Sequence, residues 1–220
     1  MDYFCIVFDM DGVLFDSERI YARAWREAGQ TFGLADLEAS INACIGRNSA
    51  DIRAFVADKY GPALPVDTFI AEIRAAFKKI ADAEGLPLKP GVFELLDWLK
   101  GTNAKLALAT STGEKTAVEK LSAAGLLPYF TVLVTGDMVL HGKPAPDIYR
   151  LACEKLGVPP DVCYAVEDSP NGVLSAHAAG LKTLLVPDVI TPTAEIFSLA
   201  FKAFPSLFDV KAFLRASADG

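Results

Sequence analysis

Five short, continuously apolar runs recur along the chain, and amphipathic helical patterns separate four of them. The runs are residues 3–8, 106–110, 130–134, 162–166 and 182–186. A short run without polar alternation is typical of a strand that is covered on both faces, as strands are in parallel sheets. Helical patterns between such runs complete βαβ units. The sequence therefore predicts an α/β fold, with a Rossmann-like parallel sheet and helices on both of its faces.

One interval, residues 16–88, interrupts this alternation. It contains no strand-like run but several helical patterns, of which the first places Ile20, Ala24, Trp25, Ala28 and Phe32 on one apolar face. It ends in the turn-rich stretch GLPLKPG. The sequence thus predicts an all-helical domain, residues 16–88, inserted into an α/β core domain built from residues 1–15 and 89–220.

Charge and cysteine usage narrow the choice of partner. The formal net charge of the 220 residues is -7, and no block of basic residues offers a surface to nucleic acid. The four cysteines form no CxxC pair, which argues against a zinc site and a disulfide framework. No stretch resembles a signal peptide or a membrane span. We expect a cytoplasmic protein that acts on a small molecule and binds neither nucleic acid nor a membrane.

Polar side chains follow the predicted strands at the points where those strands end. Ligand sites of open parallel sheets form at the carboxyl ends of the strands. The residues at these ends, or in the loop after the third strand, are Asp9, Asp11, Thr110, Ser111, Lys143, Glu167 and Asp168. We expect them to form one site.

The types of these residues fit phosphoryl transfer. A carboxylate at Asp9 can attack phosphorus and form an aspartyl-phosphate, which divides one difficult displacement into two easier ones. Attack of an anion on an anion requires charge compensation, and Mg²⁺ suits a few carboxylates together with phosphate and water. Asp9, Asp168 and the backbone carbonyl of Asp11 can provide its oxygen ligands, with Glu167 acting through water.

The remaining residues can assist that reaction. Asp11 is close enough to protonate the leaving oxygen and later to deprotonate water, which contributes roughly 10²- to 10⁴-fold to a rate. The Thr110 hydroxyl and the Ser111 N–H can donate to the phosphate, and Lys143 adds a positive charge. Gly12 allows a sharp turn directly after the aspartates. Each residue taken alone also has a purely structural explanation, for example an aspartate in a turn or an exposed lysine in a loop.

Four segments taken together argue against these purely structural explanations. FDMDGVLFDSE, ATSTG, GKPAPDIY and VEDSPNGVLSAHAAG resemble, in order, the four motifs of the haloacid dehalogenase-like hydrolase superfamily. The helical insertion is similar to the C1 cap of its phosphatase and β-phosphoglucomutase branch. The resemblance implies that Asp9 is the nucleophile and that Asp11 is the general acid and base. It also implies that the protein is a monomer. It further implies Thr110 and Lys143 as phosphate ligands, and the Mg²⁺ ligands Asp9, Asp11 and Asp168, with Glu167 nearby.

The leading functional hypothesis is a Mg²⁺-dependent phosphatase of a small phosphorylated metabolite, most simply a sugar phosphate. A β-phosphoglucomutase-like enzyme is the main alternative, but family mutases carry a histidine two residues after the glutamate that corresponds to Glu18, where this chain has Ile20. A phosphonatase would need an earlier cap lysine than Lys59, and a dehalogenase has no use for Asp11. A catalytically silent binding module on the same fold is a further alternative.

Substrate recognition is expected from the insertion. Gly46-Arg47-Asn48 lies between two helical patterns, and the family often places substrate-recognising residues in such a loop. A guanidinium at Arg47 suits a phosphate or a sugar face. An ordinary exposed arginine explains the same position equally well.

Overall fold

The structure is a computed structural model that describes residues 5–44, 49–188 and 191–218. The chain divides into two compact units, one made of Met1–Phe15 and Leu88–Gly220 and the other of Asp16–Pro87. Arg47, the candidate substrate-recognising residue, lies outside the described residues.

Six parallel strands form the sheet of the first unit. They are β1 (Cys5–Phe8), β2 (Lys105–Thr110), β3 (Val132–Thr135), β4 (Cys163–Glu167), β5 (Lys182–Leu185) and β6 (Lys202–Ala203). Their order in the sheet is β3-β2-β1-β4-β5-β6, so β1 is central and pairs with both β2 and β4. The chain builds the sheet outward from β1 in both directions, which makes the carboxyl end of β1 the topological switch point.

Four helices make up the described part of the second unit. They are α1 (Ser17–Thr31), α2 (Leu37–Cys44), α3 (Ser49–Tyr60) and α4 (Val66–Glu84). The predicted apolar face of α1 is buried at Ile20, Ala24, Trp25 and Ala28. The Trp25 ring packs edge-on against Phe69, with the ring centroids 5.2 Å apart. These contacts give the unit an apolar core of its own.

Among its described residues, the first unit contains six further α-helices, which alternate with its strands. They are α5 (Val92–Lys100), α6 (Glu114–Ala123), α7 (Asp147–Leu156), α8 (Pro170–Ala179), α9 (Ala194–Leu199) and α10 (Leu207–Ala218). Helix α8 begins at a serine cap, because the Ser169 hydroxyl accepts a hydrogen bond from the Gly172 N–H. This cap follows directly on the candidate pair Glu167 and Asp168.

Both faces of the central strand are buried. Successive side chains of a strand point to opposite faces, and all four residues of β1 are at most 1% exposed. Cys5 and Val7 pack in the cluster that includes Ile148 and Tyr149 of α7. On the other face Phe8 packs edge-on against Phe130, at a centroid distance of 6.0 Å. Burial on both faces explains why the strand has no polar alternation.

The predicted α/β fold with a parallel sheet is confirmed, and all five predicted strand regions contain a strand. The sixth strand, β6, is absent from the prediction because its two residues form no apolar run and are exposed at the sheet edge. Within the described ranges, no helix combines the length and the apolar character that a membrane span requires.

Candidate active site

The carboxyl ends of three neighbouring strands bring the candidate residues together. Phe8 at the end of β1 is in register with Leu108 of β2 and with Val166 of β4. The chain therefore reaches Asp9, Thr110 and Glu167 at the same edge of the sheet. The Asp9 N–H continues the strand pairing by donating to the Val166 carbonyl over 3.0 Å.

A tight turn follows Asp9. The Leu14 N–H donates to the Met10 carbonyl over 2.9 Å, and the Gly12 N–H donates to the Phe15 carbonyl over 2.8 Å. Gly12 has a φ of +87°, a region that L side chains rarely adopt. A Cβ atom there would also lie 2.1 Å from Oδ2 of Asp168. Glycine at this position is therefore required both by the backbone and by the approach of a carboxylate.

Lys143 lies at the centre of the site and is 9% exposed. Its Nζ donates to Oδ1 of Asp9 over 2.5 Å, to Oε1 of Glu167 over 2.6 Å and to the Ala109 carbonyl over 3.1 Å. The ammonium also lies 5.1 Å from the centroid of the Tyr149 ring. One buried cation thus joins the ends of β1, β2 and β4.

The Glu167 carboxylate accepts five hydrogen bonds. Oε1 accepts from Lys143 and, over 2.6 Å, from the Tyr149 hydroxyl. Oε2 accepts from the Asp168 N–H over 3.1 Å, and from the N–H and hydroxyl of Ser169 over 3.4 and 3.3 Å. A Cβ atom on Gly172 would lie 1.9 Å from Cδ of Glu167. The carboxylate is held tightly from all of these directions.

Asp11 is more open than Asp9 and is held by different partners. Its Oδ2 accepts from the Thr112 hydroxyl over 3.0 Å, and its Oδ1 lies 2.8 Å from Nζ of Lys120. The Asp11 side chain is 32% exposed, whereas that of Asp9 is 10% exposed. The two aspartates therefore occupy distinct environments although they are two residues apart.

The end of β2 presents Thr110 and Ser111. Thr110 is buried, and its hydroxyl oxygen accepts the Thr112 N–H over 3.1 Å, which leaves the hydroxyl proton for another acceptor. Ser111 is exposed. A Cβ atom on Gly136 would lie 2.3 Å from the Ser111 carbonyl oxygen, so the loops after β2 and β3 are in close contact.

Burial and charge shift the pKa values in this cluster. Burial raises the pKa of Asp9 to about 7. The positive charge of Lys143 acts to lower this pKa, and the negative charge of Glu167 acts to raise it. Burial acts to lower the pKa of Lys143, but the charges of Asp9 and Glu167 and the hydrogen bonds to both raise it. Burial, followed by the charge of Glu167, raises the pKa of Tyr149 well above its ordinary value. The Tyr149 hydroxyl therefore stays protonated and donates to Glu167.

The donor set fits a hard divalent cation. Oxygen atoms of Asp9, Glu167 and Asp168 lie within 4.8 Å of one another, and all three residues are buried. Anionic oxygen ligands are those that Mg²⁺ prefers. The five hydrogen bonds that the Glu167 oxygens already accept make this carboxylate less available for a direct bond to a cation.

Three residues of this cluster were missing from the sequence analysis, namely Thr112, Lys120 and Tyr149. Thr112 follows ATS within a quoted motif, and Tyr149 ends another, so the motifs contain a signal for both. Lys120 lies on α6 outside the four motifs. Nothing in the local pattern distinguishes it from the exposed lysine Lys115 on the same helix.

These features define a class of protein: a Rossmann-like α/β protein with paired acidic residues and a buried lysine at the carboxyl edge of its central strands. A family model described as haloacid dehalogenase-like hydrolase matches residues 4–180. The chain belongs to this hydrolase family.

Similar proteins cover most of the chain. It is 35% identical over 179 residues to the phosphorylated carbohydrates phosphatase of Thermotoga maritima, covering 81% of this chain and 82% of that relative. It is 36% identical over 187 residues to hexitol phosphatase A of Escherichia coli, covering 82% and 81%. The crystal structure of CbbY from Rhodobacter sphaeroides in complex with phosphate is similar with a TM-score of 0.77 at 29% identity, covering 94% of this chain and 95% of that chain.

Proposed function

We propose that this protein is a Mg²⁺-dependent phosphatase that hydrolyses a small phosphorylated metabolite, with sugar phosphates as the first candidates. The observation that carries the proposal is the buried cluster in which Lys143 binds both Asp9 and Glu167, next to Asp168. A buried carboxylate paired with a lysine and placed beside further carboxylates can serve as nucleophile, phosphate site and cation site together. The names of the phosphatases of Thermotoga maritima and Escherichia coli support the substrate class.

In the first half of the proposed reaction, a carboxylate oxygen of Asp9 attacks the phosphorus atom. The bond between phosphorus and the leaving oxygen breaks, and Asp11, protonated, gives its proton to that oxygen as the alcohol leaves. The products of this half are an aspartyl-phosphate at Asp9, an ionised Asp11 and the free alcohol.

In the second half, water attacks the phosphorus of the aspartyl-phosphate and gives a proton to Asp11. The bond between the Asp9 oxygen and phosphorus breaks, which releases inorganic phosphate and restores the Asp9 carboxylate. Asp11 is again protonated, so the enzyme returns to its starting state with every proton accounted for.

The remaining residues of the site are proposed to bind the phosphoryl group and the cation and to orient the side chains that do so. Lys143 and the Thr110 hydroxyl, with the Ser111 N–H, bind the phosphoryl oxygens and stabilise their charge. Asp9, Asp168 and the backbone of Asp11 would hold Mg²⁺, which supplies Lewis-acid charge compensation when bound. The five hydrogen bonds accepted by Glu167 support a positioning role for it, fixing Lys143 and the Asp168 backbone, in place of a direct bond to the cation.

Product analysis tests this proposal. The purified chain is incubated with a panel of sugar phosphates and other phosphomonoesters, with Mg²⁺ and with a chelator, and inorganic phosphate is measured. The panel includes β-glucose 1-phosphate with a bisphosphate primer. We expect Mg²⁺-dependent phosphate release. Isomerised sugar phosphate without stoichiometric release would instead establish a mutase, and no turnover of any substrate would favour a silent binding module.

A further inference from the structure

Both oxygens of the Asp11 carboxylate are held by one segment of the chain. Thr112, in the loop after β2, donates to Oδ2 over 3.0 Å, and Lys120 on α6 donates to Oδ1 over 2.8 Å. The same Thr112 donates its backbone N–H to the Thr110 hydroxyl. The carboxylate of Asp11 is thereby tied to the strand end that presents Thr110.

The Lys120–Asp11 ion pair differs from the ion pairs on the surface of this protein. The Lys120 side chain is only 13% exposed, whereas Lys78, in the helical pair with Asp82, is 76% exposed. Exposed pairs contribute little because water screens them and both side chains must be ordered. A partly buried pair is screened less, so the position of the carboxylate depends more strongly on the lysine.

The helix that carries Lys120 is held at its start and along its inner face. At the start of α6, the Glu114 N–H donates to both carboxylate oxygens of Asp137 over 3.2 Å. Ala117 and Leu121 bury the inner face of the helix on either side of Lys120. The lysine therefore projects from a rigid element, which is what a residue that orients another side chain requires.

From these contacts we infer that Lys120 is a positioning residue for Asp11, holding its carboxylate where it exchanges protons with the leaving group and with water. This inference rests on the proposed function, because it assigns a partner to the acid and base of that reaction. Lys120 is not a catalytic residue, since it acts on the substrate only through Asp11.

The two halves of the reaction separate a positioning role from a structural one. The leaving group of an aryl phosphate departs without a proton. The enzyme therefore forms the aspartyl-phosphate from this substrate even when Asp11 is misplaced. Hydrolysis of the intermediate still requires Asp11 to accept a proton from water. A variant with a misplaced Asp11 should therefore release one aryl alcohol per site in a burst and then turn over slowly.

The test compares Lys120→Met with Lys120→Arg and with the matched control Lys115→Met, an exposed lysine on the same helix. Rapid-mixing kinetics with an aryl phosphate and steady-state kinetics with a sugar phosphate are measured, with circular dichroism to establish folding. We expect Lys120→Met to lower kcat by about 10- to 100-fold with a burst near one equivalent, since proton transfer contributes about 10²- to 10⁴-fold. Lys120→Arg should restore most of kcat, and Lys115→Met should match the wild type.

Thr112→Val is a second variant, and it keeps the test decisive if Lys120→Met does not fold. It removes the hydroxyl that donates to Oδ2 of Asp11 and should give the same burst. Wild-type kcat in Lys120→Met, or a loss without a burst in either folded variant, would overturn the inference and leave the proposed function standing. Absence of turnover in the wild type would overturn the proposed function and this inference with it.

Discussion

Gly12 and Asp168 are in such close contact that no side chain fits between them: a Cβ atom on Gly12 would lie 2.1 Å from Oδ2 and 2.5 Å from Cγ of Asp168. The contact joins the turn after β1 to the end of β4. It places the backbone that follows the proposed nucleophile directly against a proposed cation ligand. Close approach of backbone to a functional group is one of the few reasons for which a glycine cannot be replaced.

Gly12→Ala should therefore lower kcat by at least about 100-fold, because a displacement of roughly 1 Å in a catalytic group has an effect of that size. The measurement is steady-state phosphate release together with thermal unfolding. The matched control is Gly125→Ala, since Gly125 also has a positive φ, +70°, but no atom lies within 4 Å of its added Cβ. The control should lose about 1–2 kcal/mol of stability and keep its activity. Equal kcat in the two variants would contradict the prediction.

Asp9→Asn should abolish turnover while leaving the fold intact. The amide cannot attack phosphorus, and loss of a nucleophile lowers kcat by more than about 10³-fold. Stability should change little, because burial already disfavours the ionised form of Asp9 and the Lys143 ammonium keeps its contact with Glu167. We expect an unfolding midpoint within about 4 °C of the wild type. Phosphate release at the wild-type rate would exclude the aspartyl-phosphate route.

Much of this site could be predicted because its residues lie next in the sequence to the strands that determine their positions. A buried parallel strand is a continuous apolar run, and the polar residue that ends the run lies at the carboxyl edge, as Asp9 after β1 and Glu167 at the end of β4 do. The two-residue strand β6 could not be predicted, because its pairing with β5 depends on the sheet already being present.

The partners of the site residues were harder to predict, for a physical reason. Lys120 and Tyr149 lie on helices, and their contacts with Asp11 and Glu167 join residues 109 and 18 positions apart. Which helical side chain reaches the sheet edge is decided by how the helix packs, since the amphipathic pattern identifies only the buried face. The apolar pattern also predicts only that Tyr149 is a core residue, and it gives no information about the partner of its hydroxyl.

Tyr149→Phe should weaken both stability and turnover by a modest amount. The change removes one donor to the buried Glu167 carboxylate but leaves the bond from Lys143. A hydrogen bond of this kind contributes about 1 kcal/mol, which corresponds to an unfolding midpoint lower by about 2–4 °C. We expect kcat to fall by less than about tenfold. Tyr164→Phe is the control, because the ring of Tyr164 makes contacts with Phe201, Phe213 and the Lys182 ammonium that the change leaves in place. Indistinguishable variants would refute a role for the Tyr149 hydroxyl.

Lys143→Met should be the most destabilising change in the site. It leaves the carboxylates of Asp9 and Glu167 buried without their shared cation, and breaking a buried ion pair from one side costs about 3–5 kcal/mol. Chemical denaturation measures the loss, with the exposed Lys115→Met as the reference. Activity should also vanish, because no positive charge would replace the ammonium at the phosphoryl oxygens. A loss below about 1 kcal/mol would mean that the cluster does not depend on Lys143.

Mg²⁺ should stabilise the protein in the absence of any substrate, and Asp168 should be required for the effect. A ligand that binds only the folded state stabilises it by about 2.7 kcal/mol at a concentration 100 times its Kd. Mg²⁺ should therefore raise the unfolding midpoint by several degrees, and a chelator should reverse the rise. Asp168→Asn should lose most of this shift, because it removes one of the carboxylates proposed to bind the cation. The control Asp161→Asn, which changes an exposed aspartate two residues before β4 begins, should keep the shift; an equal shift in both variants would place the cation elsewhere.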